Sequence, residues 1–103
     1  MTETTNISAV GIIARIQVKT GTEADFELLA NDLALHSREE PGCLAYDLWR
    51  VEGESEGSYA FIERYVDSAA ADAHRRTDHF RQIGRKMGEY LAVAPVVMQL
   101  KSV

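Results

Sequence analysis

The sequence has little of several features that mark particular classes of protein. It contains one cysteine and two prolines among 103 residues. The lone Cys43 forms no internal disulfide, and the first residues hold neither a basic nor an apolar segment, so we expect a cytoplasmic protein. No apolar run approaches the roughly 18 residues that a membrane-spanning helix requires. We therefore expect no membrane association.

Positive charge is also scarce, with 11 Lys and Arg against 16 Asp and Glu and a net charge of −5. A chain of this balance lacks the basic surface that phosphate backbones require, which argues against a nucleic-acid partner. Five basic residues fall close together in the second half: Arg75, Arg76, Arg81, Arg85 and Lys86. They form either the solvated face of a helix or a surface that attracts a small anion.

Several motifs that carry chemistry are missing. There is no Gly-x-Gly-x-x-Gly, no phosphate-binding Gly-x-x-x-x-Gly-Lys and no Gly-x-Ser-x-Gly, which leaves nucleotide and acyl-serine chemistry unsupported. His74 and His79 are five residues apart rather than the three or four that align two ligands on one helix, so we expect no metal site. Cys43 has no basic neighbour in sequence, which favours an inert thiol.

The first half of the chain alternates in the way strands do. Residues 10–19 place apolar side chains on one face, which predicts a half-buried strand. Thr22 and Asp25 predict a capping box for a helix over residues 23–39. This helix ends at Glu40-Pro41-Gly42, since Pro41 disfavours the helical conformation before it and Gly42 tolerates a positive φ. Residues 43–51 and 58–66 predict two further strands joined as an antiparallel hairpin.

A second helical region and a last strand complete the pattern. Asp67 or Ser68 caps the helical region, and Thr77-Asp78 marks a possible interruption and second cap. Its apolar stripe comprises Ala73, Thr77, Phe80, Gly84, Met87 and Leu91. Pro95 ends the helical stretch, and residues 96–103 alternate again. The order predicts one α+β domain over residues 1–103, a ferredoxin-like βαββαβ sandwich with an antiparallel sheet.

The predicted sheet is apolar on both faces, although its helices cover only one. Tyr59, Phe61 and Tyr65 occupy one side of the third strand, and Ala60, Ile62 and Val66 the other. The second face needs a partner, and the simplest partner is another copy of the chain. We therefore expect a homodimer through the sheet face.

Glu63 and the histidines are the candidates for proton transfer. Glu63 shares a strand face with aromatic side chains, where burial raises a carboxyl pKa, unless it forms an ion pair with Arg15 or Arg50. His74 borders the apolar stripe and points either into a cavity or to water. His79 lies near a possible helix start, and either histidine is a candidate base.

Aromatic residues of the middle strands are candidates to bind a flat ring. Trp49 and Tyr46, together with Tyr65, either fill the core or line a slot between sheet and helix. The periodicity of the sequence leaves both alternatives open.

Three segments together resemble the antibiotic biosynthesis monooxygenase domain family, in particular its quinol monooxygenase-like branch. They read Glu-Pro-Gly-Cys-Leu-Ala-Tyr at 40–46, Phe-Ile-Glu-Arg-Tyr-Val-Asp-Ser-Ala-Ala at 61–70 and Ala-His-Arg-Arg-Thr-Asp-His-Phe at 73–80. The resemblance extends over about residues 9–101. It implies a ferredoxin-like dimer of the α/β-barrel type, in which two sheets pack together and each subunit holds a pocket between sheet and helices.

The resemblance also implies a reaction, namely oxidation of a small phenolic or hydroquinone-like substrate by O₂ without metal, flavin or haem. A deprotonated phenol can itself reduce O₂, so the protein supplies a cavity, a base and hydrogen-bond donors. His74 is then the first candidate for the base. Glu63 orients it or shares the proton, and Trp49, Tyr65 and Phe80 shape the cavity, with His79 as a further substrate-binding candidate.

The sequence departs from other branches of the family. Anthrone oxygenases use an Asn and a Trp where this chain has Phe61 and Tyr65. Haem-degrading members use Asn, Trp and His where it has Ala14, His74 and Gly84. Two other functions stay open: an isomerase or lyase whose anionic substrate is held by Arg75, Arg76 or Arg81, and a dimeric module that only binds a ligand.

Overall fold

Four strands and three helices follow one another in the computed structural model, which describes residues 8–103. The elements are β1 (Val10–Gln17), α1 (Glu23–Arg38), β2 (Cys43–Arg50), β3 (Ser58–Tyr65), α2 (Ser68–Arg75), α3 (Asp78–Gly88) and β4 (Val96–Lys101). The strands form one antiparallel sheet in the order β2-β3-β1-β4. The predicted ferredoxin-like fold is confirmed. Each observed strand is one or two residues shorter than the strand predicted from the sequence. No helix within residues 8–103 is long and apolar enough to cross a membrane.

The two faces of the sheet differ in cover. On one face Ile12 lies opposite Glu63, Ala14 lies opposite Phe61, and the helices bury all four residues. On the other face Ile13 lies between Ile62 and Met98, with Trp49 beyond Ala60. All six residues of β4 are exposed. The alternation in β1 and β3 therefore predicted their faces correctly, and the helices cover one face of β1, β2 and β3, whereas β4 is exposed on both faces.

The break between α2 and α3 lies where the sequence predicted it. The Asp67 carboxylate accepts a hydrogen bond from the backbone N–H of Ala70 at 2.8 Å and caps α2. Thr77 caps α3, because its hydroxyl accepts from the backbone N–H of Phe80 at 3.2 Å. The predicted stripe needs one correction, since the inward residues of α2 are Ala71 and His74 while Ala73 is exposed. The break rotates the helical register, so one continuous stripe does not describe both helices.

The predicted capping box of α1 is wrong. Thr22 makes no side-chain cap, and its hydroxyl instead donates to the Lys19 carbonyl at 2.6 Å. Its φ of −107° and ψ of 7° differ from the extended conformation that an N-cap residue normally adopts. The Glu23 carboxylate accepts from the backbone N–H of Gly21 at 2.8 Å. Local hydrogen bonds of the preceding turn therefore take the place of the cap.

Gly42 brings the turn after α1 close to α2. Its φ is not positive, contrary to the reason we expected for a glycine here. A Cβ at this position would collide with the side chain of Ala70 and contact Val66. The lack of a side chain therefore lets the 39–42 turn pack directly on the start of α2.

Candidate active site

A cavity of about 240 Å³ lies between the covered face of the sheet and the three helices. Its wall is mainly aliphatic and aromatic and includes Tyr46, Phe61 and Phe80. Glu63, His74 and Arg75 add an acid and two basic groups to this wall. A small apolar pocket with a few polar groups is the usual form of a small-molecule site. Its size suits a molecule of one or two rings.

One carboxylate oxygen joins two histidines beside this cavity. Glu40 Oε2 lies 2.7 Å from His74 Nδ1 and 2.6 Å from His79 Nε2. The His74 side chain is only 3% exposed, and the Glu40 side chain 12%. Because a carboxylate accepts hydrogen bonds, both nitrogens act as donors. This geometry assigns the ring proton of His74 to Nδ1.

Three chain segments bring these residues together. Glu40 lies in the turn after α1, where its carbonyl accepts from the backbone N–H of Cys43. His74 occupies the last turn of α2 and His79 the first turn of α3. Thr77 ties the two helices, because its hydroxyl also donates to the His74 carbonyl at 2.7 Å. The spacing of five residues excludes a shared helical face, but the break at Thr77 lets both histidines reach one carboxylate.

Burial keeps His74 neutral. Removal from water lowers the pKa of His74 below its ordinary value, and this effect exceeds the opposing influence of the Glu40 carboxylate. Its Nε2 is buried and has no hydrogen-bond partner within residues 8–103. The ring packs among aromatic neighbours, with Tyr46 at 5.1 Å and Phe80 at 4.9 Å between ring centroids. A neutral imidazole with a free Nε2 lone pair can accept a proton and so act as a base.

Glu63 forms the second proton-binding group of the cavity. It is 6% exposed, and burial raises its pKa to about 7. Its one hydrogen-bond partner in the described chain is the Tyr65 hydroxyl, which donates to Oε1 at 2.7 Å. The same burial and the adjacent carboxylate raise the pKa of Tyr65, so this phenol stays a donor. Glu63 can therefore hold or release a proton near neutral pH.

Two expectations about Glu63 need correction. It forms no ion pair with Arg15 or Arg50, since Arg15 pairs with Glu54 at 2.6 Å and Arg50 with Glu27 at 2.9 Å. It makes no hydrogen bond to His74 either, and the residue that orients His74 is Glu40. Arg15 and Arg50 are therefore both held by other carboxylates, and the Glu63 carboxylate has neither as a partner.

The aromatic candidates separate into three positions. Phe80 lines the cavity. Tyr65 is fully buried, and its hydroxyl donates a hydrogen bond to the Glu63 carboxylate. Trp49 lies on the open face of the sheet and is 58% exposed. The expectation that Trp49 shapes the cavity is therefore wrong, because residues 46 and 49 of β2 point to opposite sides of the sheet.

The basic residues and the cysteine take minor places. Arg75 lines the cavity but pairs with Asp72 at 2.5 Å. Arg76 and Arg81 are exposed and do not line it. Cys43 is half-buried, and burial raises the pKa of its thiol. A thiol with a raised pKa is a poor nucleophile, in agreement with the inert reading.

Sequence reasoning missed Glu40. Because this residue precedes Pro41 and follows the last turn of α1, its place in the sequence indicated only the end of that helix. Its side chain acquires a role only through the contact between this turn and α2. Periodicity carries no signal for such a contact, and the one available hint was that Glu40 begins the first segment of the family resemblance.

Comparison with known proteins gives consistent matches. The family model described as "Antibiotic biosynthesis monooxygenase" matches residues 9–86. The chain is 37% identical over 83 residues to "Putative monooxygenase YcnE" of Bacillus subtilis (strain 168), which covers 81% of this chain and 85% of the relative.

Solved structures agree with these sequence matches. A protein of Caulobacter crescentus CB15, titled a "putative antibiotic biosynthesis monooxygenase", superposes with a TM-score of 0.89 at 38% identity over 94% of this chain and 92% of that one. Rv0793 of Mycobacterium tuberculosis superposes with a TM-score of 0.86 at 28% identity, over 93% of this chain and 96% of its own. The similarity therefore extends over nearly the whole described fold.

Proposed function

We propose that this chain, which belongs to the antibiotic biosynthesis monooxygenase family, is a cofactor-independent enzyme. Its substrate is a small phenolic or hydroquinone-like molecule, and its oxidant is O₂. The cavity suits such a molecule, since its wall is aromatic and aliphatic with a few proton-binding groups.

The observation that carries the proposal is the hydrogen bond between Glu40 and His74, of which His74 lines the cavity. Glu40 holds the His74 proton on Nδ1 at 2.7 Å, so Nε2 carries the lone pair. A phenol hydroxyl that reaches Nε2 transfers its proton there, and the Glu40 carboxylate stabilises the imidazolium that forms. A positioned general base contributes about 10² to 10⁴ in rate.

The reaction balances without an external reductant. The phenolate donates electrons to O₂, and a carbon–oxygen bond forms at a ring carbon that carries hydrogen. The imidazolium of His74 returns its proton to the peroxide, which gives a ring hydroperoxide. Loss of the ring hydrogen as a proton then cleaves the O–O bond and yields a quinone and water. One oxygen atom of O₂ enters the product, and the other leaves as water.

Glu63 is suited to the last proton transfers. Its pKa of about 7 allows it to give a proton to the departing oxygen and to regain one from the ring carbon. The Tyr65 hydroxyl, 2.7 Å from Oε1, stabilises the carboxylate between these events. His74 and Glu63 thus serve different steps within one cavity.

One observation favours a second candidate, an isomerase or lyase acting on a small anion. Arg75 reaches the cavity wall beside His74 and supplies positive charge there. Its pairing with Asp72 reduces that charge, and apart from His74 and Glu63 the remaining wall is mainly apolar. The two candidates differ in one requirement, since only the monooxygenase consumes O₂.

The uncovered face of the sheet supports a homodimer as the working form. Ile62, Met98 and Leu100 lie on this face and are between 41% and 57% exposed. With Trp49 and Val96 they form an apolar surface of the kind that pairs with another copy. This packing leaves the cavity on the opposite face of each sheet.

The test is O₂ uptake with a panel of phenols and hydroquinones, under air and under argon. We expect turnover in air, none under argon, and incorporation of one ¹⁸O atom from ¹⁸O₂ into the product. The control is His36→Ala, because His36 is an exposed histidine of α1 outside the cavity. Turnover that persists under argon would indicate the isomerase or lyase. Ligand-induced thermal stabilisation without product would indicate a binding module.

A further inference from the structure

We infer that Glu40, His74 and His79 form a binding site for a divalent transition-metal ion of the zinc type. The ligand atoms of these three residues all lie within 4.8 Å of one another. They come from three separate segments: the turn after α1, the end of α2 and the start of α3. Two imidazoles and one carboxylate are a ligand set that zinc and its neighbours in the first transition row favour.

The distances require only a small adjustment. Glu40 Oε2 now lies at hydrogen-bond distance, 2.7 and 2.6 Å, from the two histidine nitrogens. Zinc bonds of about 2.0 to 2.2 Å in a tetrahedral site separate ligand atoms by about 3.3 to 3.6 Å. A retreat of Glu40 Oε2 by somewhat less than 1 Å would admit the ion, provided that the two imidazole nitrogens, now within 4.8 Å of each other, take the same tetrahedral spacing. The Glu40 side chain is 12% exposed and has rotatable bonds for this movement.

The histidines are positioned independently of any ion. Thr77 fixes the junction between α2 and α3 by accepting from Phe80 and donating to the His74 carbonyl. The His79 ring stacks on His36 with a centroid distance of 5.7 Å. The His79 side chain is 21% exposed, which gives the ion a path from solvent. Such a site needs little reorganisation to bind, which favours affinity.

Binding would change the tautomer of His74. The ion takes the lone pair of Nδ1, so the ring proton moves to Nε2, and the same exchange occurs in His79. No proton is lost or gained overall when both rings are neutral. A His74 that carries its proton on Nε2 cannot accept one there. The metal-bound form would therefore lack the base, a consequence that rests on the proposed function, whereas binding itself does not.

The experiment measures Zn²⁺ binding by calorimetry and Co²⁺ binding by its visible absorption, using protein freed of metal with a chelator. We expect one ion per chain at micromolar concentration. Removal of a residue that only hydrogen-bonds to a metal ligand lowers the metal affinity about 10- to 100-fold. Loss of a ligand itself, in His79→Ala or Glu40→Gln, should therefore lower the affinity at least about 100-fold. The matched control Glu52→Gln, in the exposed loop between β2 and β3, should bind as the unaltered chain does.

His79 is partly exposed, so we expect that its substitution leaves the chain folded. Zn²⁺ should raise the thermal unfolding temperature of the unaltered chain and of Glu52→Gln, and leave that of His79→Ala unchanged. If His79→Ala does not fold, His79→Gln replaces it. Equal binding by His79→Ala and the unaltered chain, or the lack of a stoichiometric site at micromolar Zn²⁺, would overturn the inference. Both readouts are independent of turnover.

Discussion

The two faces of the sheet are built from the same strands and have opposite surroundings. On the covered face Ile12 and Phe61 are 5% and 3% exposed, whereas on the open face Ile62 and Met98 are 41% and 57% exposed. The covered face holds the cavity with His74 and Glu63. Apolar alternation therefore marks a face to be covered, and residues 8–103 supply cover for only one.

The largest expected effect falls on the chemistry of the covered face. His74→Ala removes the proposed base and should lower kcat/KM by about 10² to 10⁴. O₂ uptake with the best substrate of the panel measures this loss. His36→Ala is the control, and it should retain the activity of the unaltered chain. Equal activities of His74→Ala and His36→Ala would remove His74 from the mechanism.

Packing beneath the helices should give the next largest effect. Phe26 of α1 is fully buried, with its ring 5.0 Å from that of Tyr59. Phe26→Ala should lower the free energy of unfolding by about 3 to 5 kcal/mol. Leu28 lies on the same helix and is 73% exposed, so Leu28→Ala should change it by less than about 0.5 kcal/mol. Urea unfolding of both variants checks the contrast, and a small loss in Phe26→Ala would contradict it.

Glu63 should make stability depend on pH. Burial raises its pKa to about 7, so the folded chain keeps this proton to a higher pH than the unfolded chain does. The folded state then binds more protons over about pH 4 to 8, and its stability falls as pH rises through this window. Relative to the unaltered chain, Glu63→Gln should be more stable by about 2 to 3 kcal/mol at pH 8 and nearly equal at pH 4.

Thermal or urea unfolding at the two pH values measures this difference. The control is Glu52→Gln in the exposed loop between β2 and β3, which should show little change at either pH. A stability difference for Glu63→Gln that does not grow with pH would contradict the assigned burial of the carboxyl.

The open face should show the smallest effect, on assembly alone. Met98→Lys places a charge in the proposed dimer interface and should raise the dissociation constant at least about tenfold, which corresponds to 1.4 kcal/mol. Leu28→Lys, on the exposed side of α1, should leave assembly unchanged. Sedimentation velocity measures both. A monomeric unaltered chain at micromolar concentration would contradict the proposed homodimer.

Most of the fold was predictable because it follows from short-range patterns. The alternation around Ile12 and Phe61 gave the strands and their faces, and Thr77 gave the break between α2 and α3. The capping box wrongly predicted at Thr22 shows the limit of such patterns, since the Thr22 hydroxyl donates to the preceding turn instead.

The candidate site was predictable only in part. His74 and Glu63 stood out because each interrupts or borders an apolar stripe. Glu40 did not, because its role depends on the close packing that Gly42 allows against Ala70. The misplaced Trp49 has a related cause, since both faces of β2 carry large aromatic side chains and the sequence does not say which one the helices cover.

The protonation of His74 is the most direct test of the central claim. Long-range ¹H–¹⁵N NMR of the imidazole nitrogens at pH 7, assigned by comparison with His74→Gln, distinguishes the tautomers. We expect a neutral ring with the proton on Nδ1 and a free Nε2. An imidazolium, or a neutral ring with its proton on Nε2, would contradict the assignment of His74 as the base held by Glu40.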